Sequence, residues 1–136
     1  KISPEISEKK ISWTKHPLLK VEEVGLDGTE DSYVSNTFAA VAETGTLVAL
    51  SGQSRSTSLN FLPRCHVCLL NNSDIVGSYE EVWAQLRNNK KGKDNFSFLP
   101  RTVNWITGPS RTADIEQTLL IGAHGPQRLH IVIIND

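Results

Sequence analysis

Methionine is absent from this chain of 136 residues, and cysteine occurs at only two positions. Because Lys1 is not a translation start, we expect the chain to be the C-terminal part of a longer protein. Two cysteines are too few for the disulfide scaffold of a small secreted domain. No apolar run reaches the roughly 18 residues that a membrane-spanning helix needs, and no signal-peptide pattern opens the chain. These absences predict a cytoplasmic protein without a membrane span.

An excess of charge of either sign is also lacking. The 14 basic and 15 acidic side chains give a formal net charge of −1, which provides no electrostatic field for nucleic acid or an anionic membrane. The length predicts one domain over residues 1–136, able to bury roughly two-thirds of its unfolded surface. Residues 1–33 are polar and without a sustained period, so we expect an irregular lead-in there.

The apolar segments are short, and most are flanked by turn residues. Three nearly continuous runs, Cys65–Leu70, Val103–Thr107 and Leu129–Ile134, are typical of strands buried on both faces. The runs 38–42 and 46–50 are separated by Glu43-Thr44-Gly45, which predicts an antiparallel hairpin. Strands that alternate with helical segments indicate an α/β fold with a mixed sheet.

One helix has a clear start signal. Ser78-Tyr79-Glu80-Glu81 is a capping box, and the apolar residues after it recur at helical spacing. The pattern predicts a helix from about Tyr79 to Asn88.

The polar turn after Val103–Thr107 is the first candidate site. Gly108-Pro109 ends the strand, and Ser110 or Thr112 could cap a helix whose first turn carries Asp114 and Glu116. A helix start of this kind can bind an anion, with Arg111 as a bidentate clamp. The alternatives are an ordinary capped turn and an internal pair between Arg111 and Asp114.

Glu43 and His124 are the candidate catalytic residues. Glu43 ends an apolar strand, and a carboxylate beside a core suits acid–base or nucleophilic chemistry; the alternative is a surface turn glutamate. His124 stands between backbone breakers at the entrance of a strand, which gives it no evident packing role. His130, inside that strand, is interpreted as a structural histidine.

The motif Cys65-His66-Val67-Cys68 is interpreted as part of the core and not as a metal or redox site. In a strand, the side chains of Cys65 and Cys68 point to opposite faces, so the two sulfurs cannot converge on one ion. No second cysteine pair completes a zinc site. We therefore predict no metal ligands.

Three blocks resemble the signatures of the LUD-domain family in order and spacing. They are residues 42–46 (Ala-Glu-Thr-Gly-Thr), 108–116 (Gly-Pro-Ser-Arg-Thr-Ala-Asp-Ile-Glu) and 122–126 (Gly-Ala-His-Gly-Pro). The resemblance spans roughly residues 34–136. Phe38 occupies the position before the hairpin where the family pattern has an acidic residue.

The resemblance implies a three-layer, Rossmann-like α/β fold of the NagB/RpiA/CoA-transferase type. It also implies a role in bacterial oxidation of L-lactate to pyruvate, with partner subunits that hold the iron–sulfur clusters. Any cofactor of this chain itself stays unknown. The blocks mark a ligand site that consists of Thr44, Gly45, Thr46, Gly108, Ser110, Arg111, Thr112, Asp114 and Glu116.

Three functional hypotheses remain open at this point. The chain is a non-cluster subunit of an L-lactate dehydrogenase complex, a small-molecule enzyme for a phosphate- or CoA-bearing ligand, or a binding module that senses a metabolite. In the enzyme hypothesis Glu43 is the nucleophile or base and His124 carries the proton.

Overall fold

The fold is known from a computed structural model, which describes residues 31–52, 57–88, 100–113, 119–121 and 125–135. Within these ranges it contains nine β-strands and one α-helix. Two short 3₁₀ segments, Thr57–Asn60 and Asn72–Asp74, connect strands.

Three strands form a parallel sheet. They are β1 (Ser32–Asn36), β4 (Cys65–Asn71) and β9 (Arg128–Ile134), in the order β1-β4-β9. The predicted strand at Cys65–Leu70 is confirmed, and its alternation places the side chains of His66 and Cys68 in the interior. The sequence of β1 mixes polar and apolar residues, and no strand was predicted there.

A second sheet combines parallel and antiparallel pairs. Its strands are β2 (Ala39–Val41), β3 (Thr46–Leu50), β5 (Ile75–Val76) and β6 (Val103–Ile106), in the order β5-β2-β3-β6. The predicted hairpin is confirmed, since β2 pairs antiparallel with β3. β6 also pairs antiparallel with β3, so it does not lie beside β4 and β9.

The single described helix, α1, covers Tyr79–Asn88 and has the predicted bounds. Its capping box is formed, because the Glu81 backbone N–H lies 3.4 Å from the acceptor Ser78 Oγ. The apolar stripe of the helix buries Val82 and Leu86 against one face of the hairpin, formed by Ala39, Val41 and Val48.

The opposite face of the hairpin belongs to a second core cluster. Ala40, Leu47 and Ala49 pack with residues of β4, Cys68 and Leu70, and with Ile106 of β6. The hairpin is therefore buried on both faces, as its continuous apolar sequence suggests. The sheets and the helix around it make an α/β fold with mixed strand directions, which confirms the predicted fold class.

The predicted helix after Ser110 is wrong. Residues Arg111–Ala113 form strand β7, which pairs antiparallel with β8 (Leu119–Ile121), and Thr112 lies opposite Leu120. The backbone groups of residues 111–113 take part in a strand ladder, so they cannot form a first helical turn. Antiparallel pairing with the strand five residues further along the chain overrides the capping signal.

The burial predicted for the last strand is also wrong. Ile131, Val132 and Ile133 are 47 %, 45 % and 53 % exposed. Successive side chains of a strand point to opposite faces, so neither face of β9 is fully covered. His130 is exposed as well and has no structural role in the core. Among the described residues, no helix is both long and apolar enough to cross a membrane.

Candidate functional site

The first signature block forms the turn between β2 and β3. Glu43, Thr44 and Gly45 are exposed, and Gly45 adopts a φ of 66°, which favours glycine. The turn is held to the segment just before α1, because the Glu43 backbone N–H donates to the carbonyl of Gly77 at 3.3 Å. Glu43 is thus held at the surface, which agrees with the surface-turn alternative for this residue.

Four hydroxyl groups meet beside this turn and form what we call the hydroxyl cluster: Thr44, Thr46, Tyr79 and Thr107. Thr46 is fully buried, and its Oγ1 lies 2.8 Å from Thr44 Oγ1, 2.9 Å from Tyr79 Oη and 3.0 Å from Thr107 Oγ1. Thr44 also donates to Tyr79 Oη at 3.1 Å. The cluster joins the first block to the start of α1 and to the residue before Gly108.

The phenol of Tyr79 is electrostatically altered by this arrangement. Hydrogen bonds from Thr44 and Thr46 stabilise the phenolate and lower the pKa of Tyr79, against smaller opposing effects of desolvation and of the Glu43 charge. The Tyr79 ring also packs against Trp105, with ring centroids 5.1 Å apart, and Trp105 contacts Trp83 at 5.5 Å. Aromatic rings and hydroxyls therefore adjoin on this side of the hairpin.

The second and third blocks contact each other directly. The backbone N–H of Ser110 donates to the carbonyl of Pro126 at 2.9 Å. A Cβ on Gly125 would lie 3.3 Å from the Cβ of Ser110, so only glycine fits there without displacement. Gly108 has a φ of 135°, a conformation that side chains rarely allow.

The structure therefore brings several of the predicted residues together and leaves others apart. Thr44, Gly45 and Thr46 adjoin Thr107-Gly108 through the hydroxyl cluster, and Ser110 adjoins the Gly125-Pro126 turn. Arg111 is exposed in β7, where Thr112 contributes backbone to the ladder. Asp114, Glu116 and His124 lie outside the described residues.

The strand at Arg111–Ala113 changes the chemistry expected of the second block. Within the described residues 108–113 no helix begins, so no helix dipole is available there to hold a phosphate. Arg111 is exposed, and its guanidinium group can pair with a carboxylate.

Comparison with known proteins decides the family. The LUD domain family model matches residues 27–134, which is most of the chain. This chain belongs to the LUD-domain family. It is 33 % identical over 114 residues to lactate utilization protein C of Geobacillus sp. (strain WCH70), an alignment that covers 82 % of this chain and 46 % of that protein.

Other members of the family are similar to the same degree. Lactate utilization protein C of Halalkalibacterium halodurans is 33 % identical over 113 residues, covering 82 % of this chain and 48 % of that protein. The chain thus spans about half the length of these curated relatives. A crystal structure of a DUF162 family protein from Deinococcus radiodurans superposes with a TM-score of 0.49 at 23 % identity, covering 78 % of this chain and 54 % of that one.

Two residues of the hydroxyl cluster were missed by the sequence analysis of this LUD domain. Tyr79 was assigned only to the apolar stripe of its helix, and Thr107 only to the end of a strand. Tyr79 lies 33 residues from Thr46 in sequence and Thr107 lies 61 residues from it, so no local pattern links them. One local feature could have drawn attention to Thr107: it lies at the end of its strand, immediately before the Gly108-Pro109 turn of the second block.

A second polar group lies in the interior of the LUD domain, around His66. Its Nε2 atom is 2.8 Å from Ser35 Oγ and 3.4 Å from Cys68 Sγ, and all three side chains are buried. Burial lowers the pKa of His66 to about 4, partly offset by the backbone of Asn60, and raises the pKa of the Cys68 thiol to about 12, partly offset by Ser35.

The buried side chains around His66 connect two strands in the interior. Cys65 and Cys68 are both free thiols. In the part of the chain that the structure describes, no cluster of three or more His, Cys, Asp or Glu side chains could hold a metal ion. The neutral histidine instead connects β4 to β1 through Ser35.

Proposed function

We propose that this LUD-domain chain takes part in lactate utilisation, as a component of a system that oxidises L-lactate to pyruvate. The observation that carries the proposal is the similarity over 82 % of the chain to proteins named lactate utilization protein C. We further propose that iron–sulfur subunits are its partners and that it works in the cytoplasm.

The proposed ligand site consists of the three signature blocks. Two contacts support this grouping: the hydrogen bond between Thr46 and Thr107, and the hydrogen bond from Ser110 to Pro126. The first holds the Glu43-Thr44-Gly45 turn beside Gly108, and the second holds Ser110, immediately before the Arg111 strand, beside Pro126. The site residues on this proposal are Glu43, Thr44, Gly45, Thr46, Gly108, Ser110, Arg111, Thr112, Asp114, Glu116 and His124.

The proposed roles follow from the chemistry of each group. Oxidation of L-lactate to pyruvate removes two electrons and two protons, one proton from the hydroxyl and one hydrogen from the adjacent carbon. Glu43 would accept the hydroxyl proton as a general base, and His124 would take up the proton that leaves the carbon with the two electrons. Arg111 would pair with a carboxylate. The electrons would leave through the clusters of the partner subunits.

Growth on L-lactate and co-purification test the proposal together. In an organism that encodes this chain, deletion of its gene should abolish growth on L-lactate and leave growth on pyruvate unchanged. A tagged copy should restore growth and co-purify with an iron–sulfur protein, identified by mass spectrometry and by its iron content. Normal growth of the deletion strain on L-lactate would refute the proposed function.

Point variants extend the same test to the site. Glu43→Gln removes the charge at unchanged size, and Arg111→Gln removes the guanidinium group. Both side chains are exposed, so the variants should fold normally but fail to restore growth. Glu80→Gln, on the exposed surface of α1, is the matched control and should restore it. Full restoration by both site variants would show that the three blocks are not the functional site.

A further inference from the structure

The hydroxyl cluster contains as many protons as hydrogen bonds, and this fixes the direction of each bond. Each of its four hydroxyl groups has a single proton to donate. The four oxygen–oxygen distances between them lie within hydrogen-bond range, at 2.8, 2.9, 3.0 and 3.1 Å. Every hydroxyl proton of the cluster is therefore used in one of these four bonds.

The bond from Thr44 to Tyr79 determines the other three. Because Thr44 donates to Tyr79 Oη, the bond between Thr44 and Thr46 must use the proton of Thr46. Tyr79 then donates to Thr46, and Thr107 does so as well. Thr44, Tyr79 and Thr46 thus form a closed ring in which each hydroxyl donates to the next, which we call the hydroxyl ring. Thr107 binds to this ring from outside.

The hydroxyl ring holds the side chain of Thr44, the residue next to Glu43. Thr44 is an exposed turn residue, and its hydroxyl both donates and accepts a hydrogen bond within the ring. Tyr79 is itself anchored, because its aromatic group packs on Trp105 with ring centroids 5.1 Å apart. The charge of Glu43 acts on the Tyr79 phenol, so the carboxylate and the hydroxyl ring are neighbours.

We propose that Tyr79 is a positioning residue of the site, whose neutral phenol closes the hydroxyl ring and so orients the turn that carries Glu43. This rests on the proposed function, in which Glu43 is the general base. Tyr79 acts through Thr44 and not by touching the substrate. Loss of the phenol hydroxyl leaves Thr44 with one hydrogen bond of the ring in place of two.

Ionisation of Tyr79 opens the hydroxyl ring, because three protons then remain for four contacts. The phenolate accepts hydrogen bonds from both Thr44 and Thr46, so no proton is left between those two threonine oxygens. Their lone pairs then face each other across a contact of 2.8 Å, which repels Thr44 from Thr46. The position of the turn therefore depends on the protonation of Tyr79.

The groups around the phenol allow this transition to be assigned. No titratable side chain faces Tyr79 from the strands beside it, since β2, β3, β5 and β6 contain none. The turn contributes Glu43, whose negative charge opposes ionisation of the phenol, and α1 itself contributes Glu80 and Glu81. A transition on the alkaline side of neutrality belongs to a phenol and not to a carboxyl group.

Carbon-edited NMR tests the hydroxyl ring without any assay of function. In the natural chain, the methyl signals of Thr44 and Thr46 should shift in one step at the pKa of Tyr79 as the pH is raised from neutrality. Tyr79→Phe should remove this step, whereas Thr107→Val, which removes a donor outside the ring, should preserve it. Absence of the step in the natural chain, or its persistence in Tyr79→Phe, would overturn the proposal.

L-lactate-dependent dye reduction tests the positioning role, in extracts of cells that carry the chain with its natural partners. Tyr79→Phe should lower the rate at neutral pH by about threefold to tenfold, the size of a lost hydrogen bond. With the natural chain the rate should fall reversibly as the pH rises through the pKa of Tyr79, and Tyr79→Phe should abolish this alkaline fall. Trp83→Phe, on the same helix and in contact with the same Trp105, is the matched control and should keep the natural rate and the alkaline fall.

The outcomes separate the positioning role from the proposed function. A natural rate in Tyr79→Phe, or a lower rate that keeps the alkaline fall, would overturn the positioning role, and a strongly reduced rate in Glu43→Gln would then leave the proposed function intact. Absence of L-lactate-dependent dye reduction with the natural chain would refute the proposed function and the positioning role together. In that case the methyl titration of Thr44 would still decide whether the hydroxyl ring forms.

Discussion

The hydroxyl of Thr46 lies 3.0 Å from the hydroxyl of Thr107, and this contact joins two signature blocks that are 61 residues apart in sequence. Thr46 begins β3 in the interior, and Thr107 follows the strand that pairs with β3. The same Thr46 oxygen contacts Thr44 and Tyr79. One buried threonine therefore connects the hairpin turn, the start of α1 and the turn at Gly108.

Replacing Thr46 by valine should destabilise the protein more than replacing Thr44. Thr46→Val keeps the shape of the side chain but removes a buried hydroxyl with three partners, at a cost of about 1–3 kcal/mol in the free energy of unfolding. Thr44 is exposed, so Thr44→Val should cost less than about 1 kcal/mol. Urea unfolding of both variants measures the difference, and equal costs would contradict the central position of Thr46.

The phenol of Tyr79 should ionise below the ordinary pKa of 10.0, because Thr44 and Thr46 stabilise its phenolate. Ultraviolet difference spectroscopy follows this ionisation, and the chain has only one other tyrosine, the buried Tyr33. Tyr79→Phe should remove the early transition. The double variant Thr44→Val/Thr46→Val should raise the pKa of Tyr79, and an unchanged titration would show that the hydroxyl cluster does not form.

His66 should make the protein less stable in acid. Its pKa is about 4 in the folded chain against 6.5 for an ordinary histidine, so the unfolded chain binds more protons between these values. The free energy of unfolding therefore falls as the pH decreases from about 6.5 to 4. At roughly 1.4 kcal/mol per pH unit, the loss reaches about 3 kcal/mol.

The control for this prediction is the exposed histidine of β9. His66→Gln should flatten the pH dependence of unfolding over this range, whereas His130→Gln should leave it as in the natural chain. Stability measured by urea unfolding at a series of pH values provides the comparison. A flat profile in the natural chain would show that His66 is not a buried neutral group.

The two cysteines should differ in their reactivity with thiol reagents. Burial raises the pKa of Cys68 to about 12, so its thiolate is scarce at neutral pH, whereas Cys65 is partly exposed. A disulfide reagent under native conditions should modify one cysteine quickly. Cys65→Ser should eliminate this fast reaction and Cys68→Ser should preserve it; the reverse pattern would contradict the alternation of side chains along β4.

Gly45 should tolerate asparagine better than alanine. Its φ of 66° is unfavourable for residues with a Cβ, although no atom lies within 4 Å of the position that a Cβ would occupy. The cost of Gly45→Ala is therefore conformational, about 1 kcal/mol, and Gly45→Asn should cost less because asparagine adopts this conformation more readily. Thermal unfolding ranks the two variants, and a reversed order would place the turn in another conformation.

Local signals in the sequence account for the parts of the fold that were predicted well. The capping box at Ser78 and the stripe of Val82 and Leu86 define α1, because a helix is specified by residues three and four positions apart. The hairpin is defined by a similarly local pattern around Gly45. Both elements could be predicted with their bounds or nearly so.

The errors concern features that depend on what lies against a segment and not on the pattern within it. Residues 111–113 carry a good capping sequence, but their partner at Leu119–Ile121 makes them a strand. The apolar sequence of β9 indicates burial, yet its exposure depends on what packs against the two faces of the strand. Sequence periodicity within either segment contains neither piece of information.

The candidate site likewise contains residues that were predicted from the sequence and residues that were missed. The blocks around Glu43, Gly108 and Gly125 were recognised from their residues. In the structure, a hydrogen bond joins the first block to the residue before the second, and another joins the second block to the third. Tyr79 and Thr107 were missed because their place beside Thr46 arises from the packing of α1 and β6 on the hairpin.

The most direct test of the central claim is the rate of L-lactate-dependent oxygen consumption in cells that lack the natural chain and carry a variant. Cells that carry Glu43→Gln or Arg111→Gln should consume oxygen on L-lactate at less than about a tenth of the rate of cells with the natural chain, as expected when a catalytic or charge-pairing group is lost. Cells with Glu80→Gln should match the natural rate. Natural rates with both site variants, at equal amounts of folded protein, would contradict the assignment of this LUD domain's signature blocks to lactate oxidation.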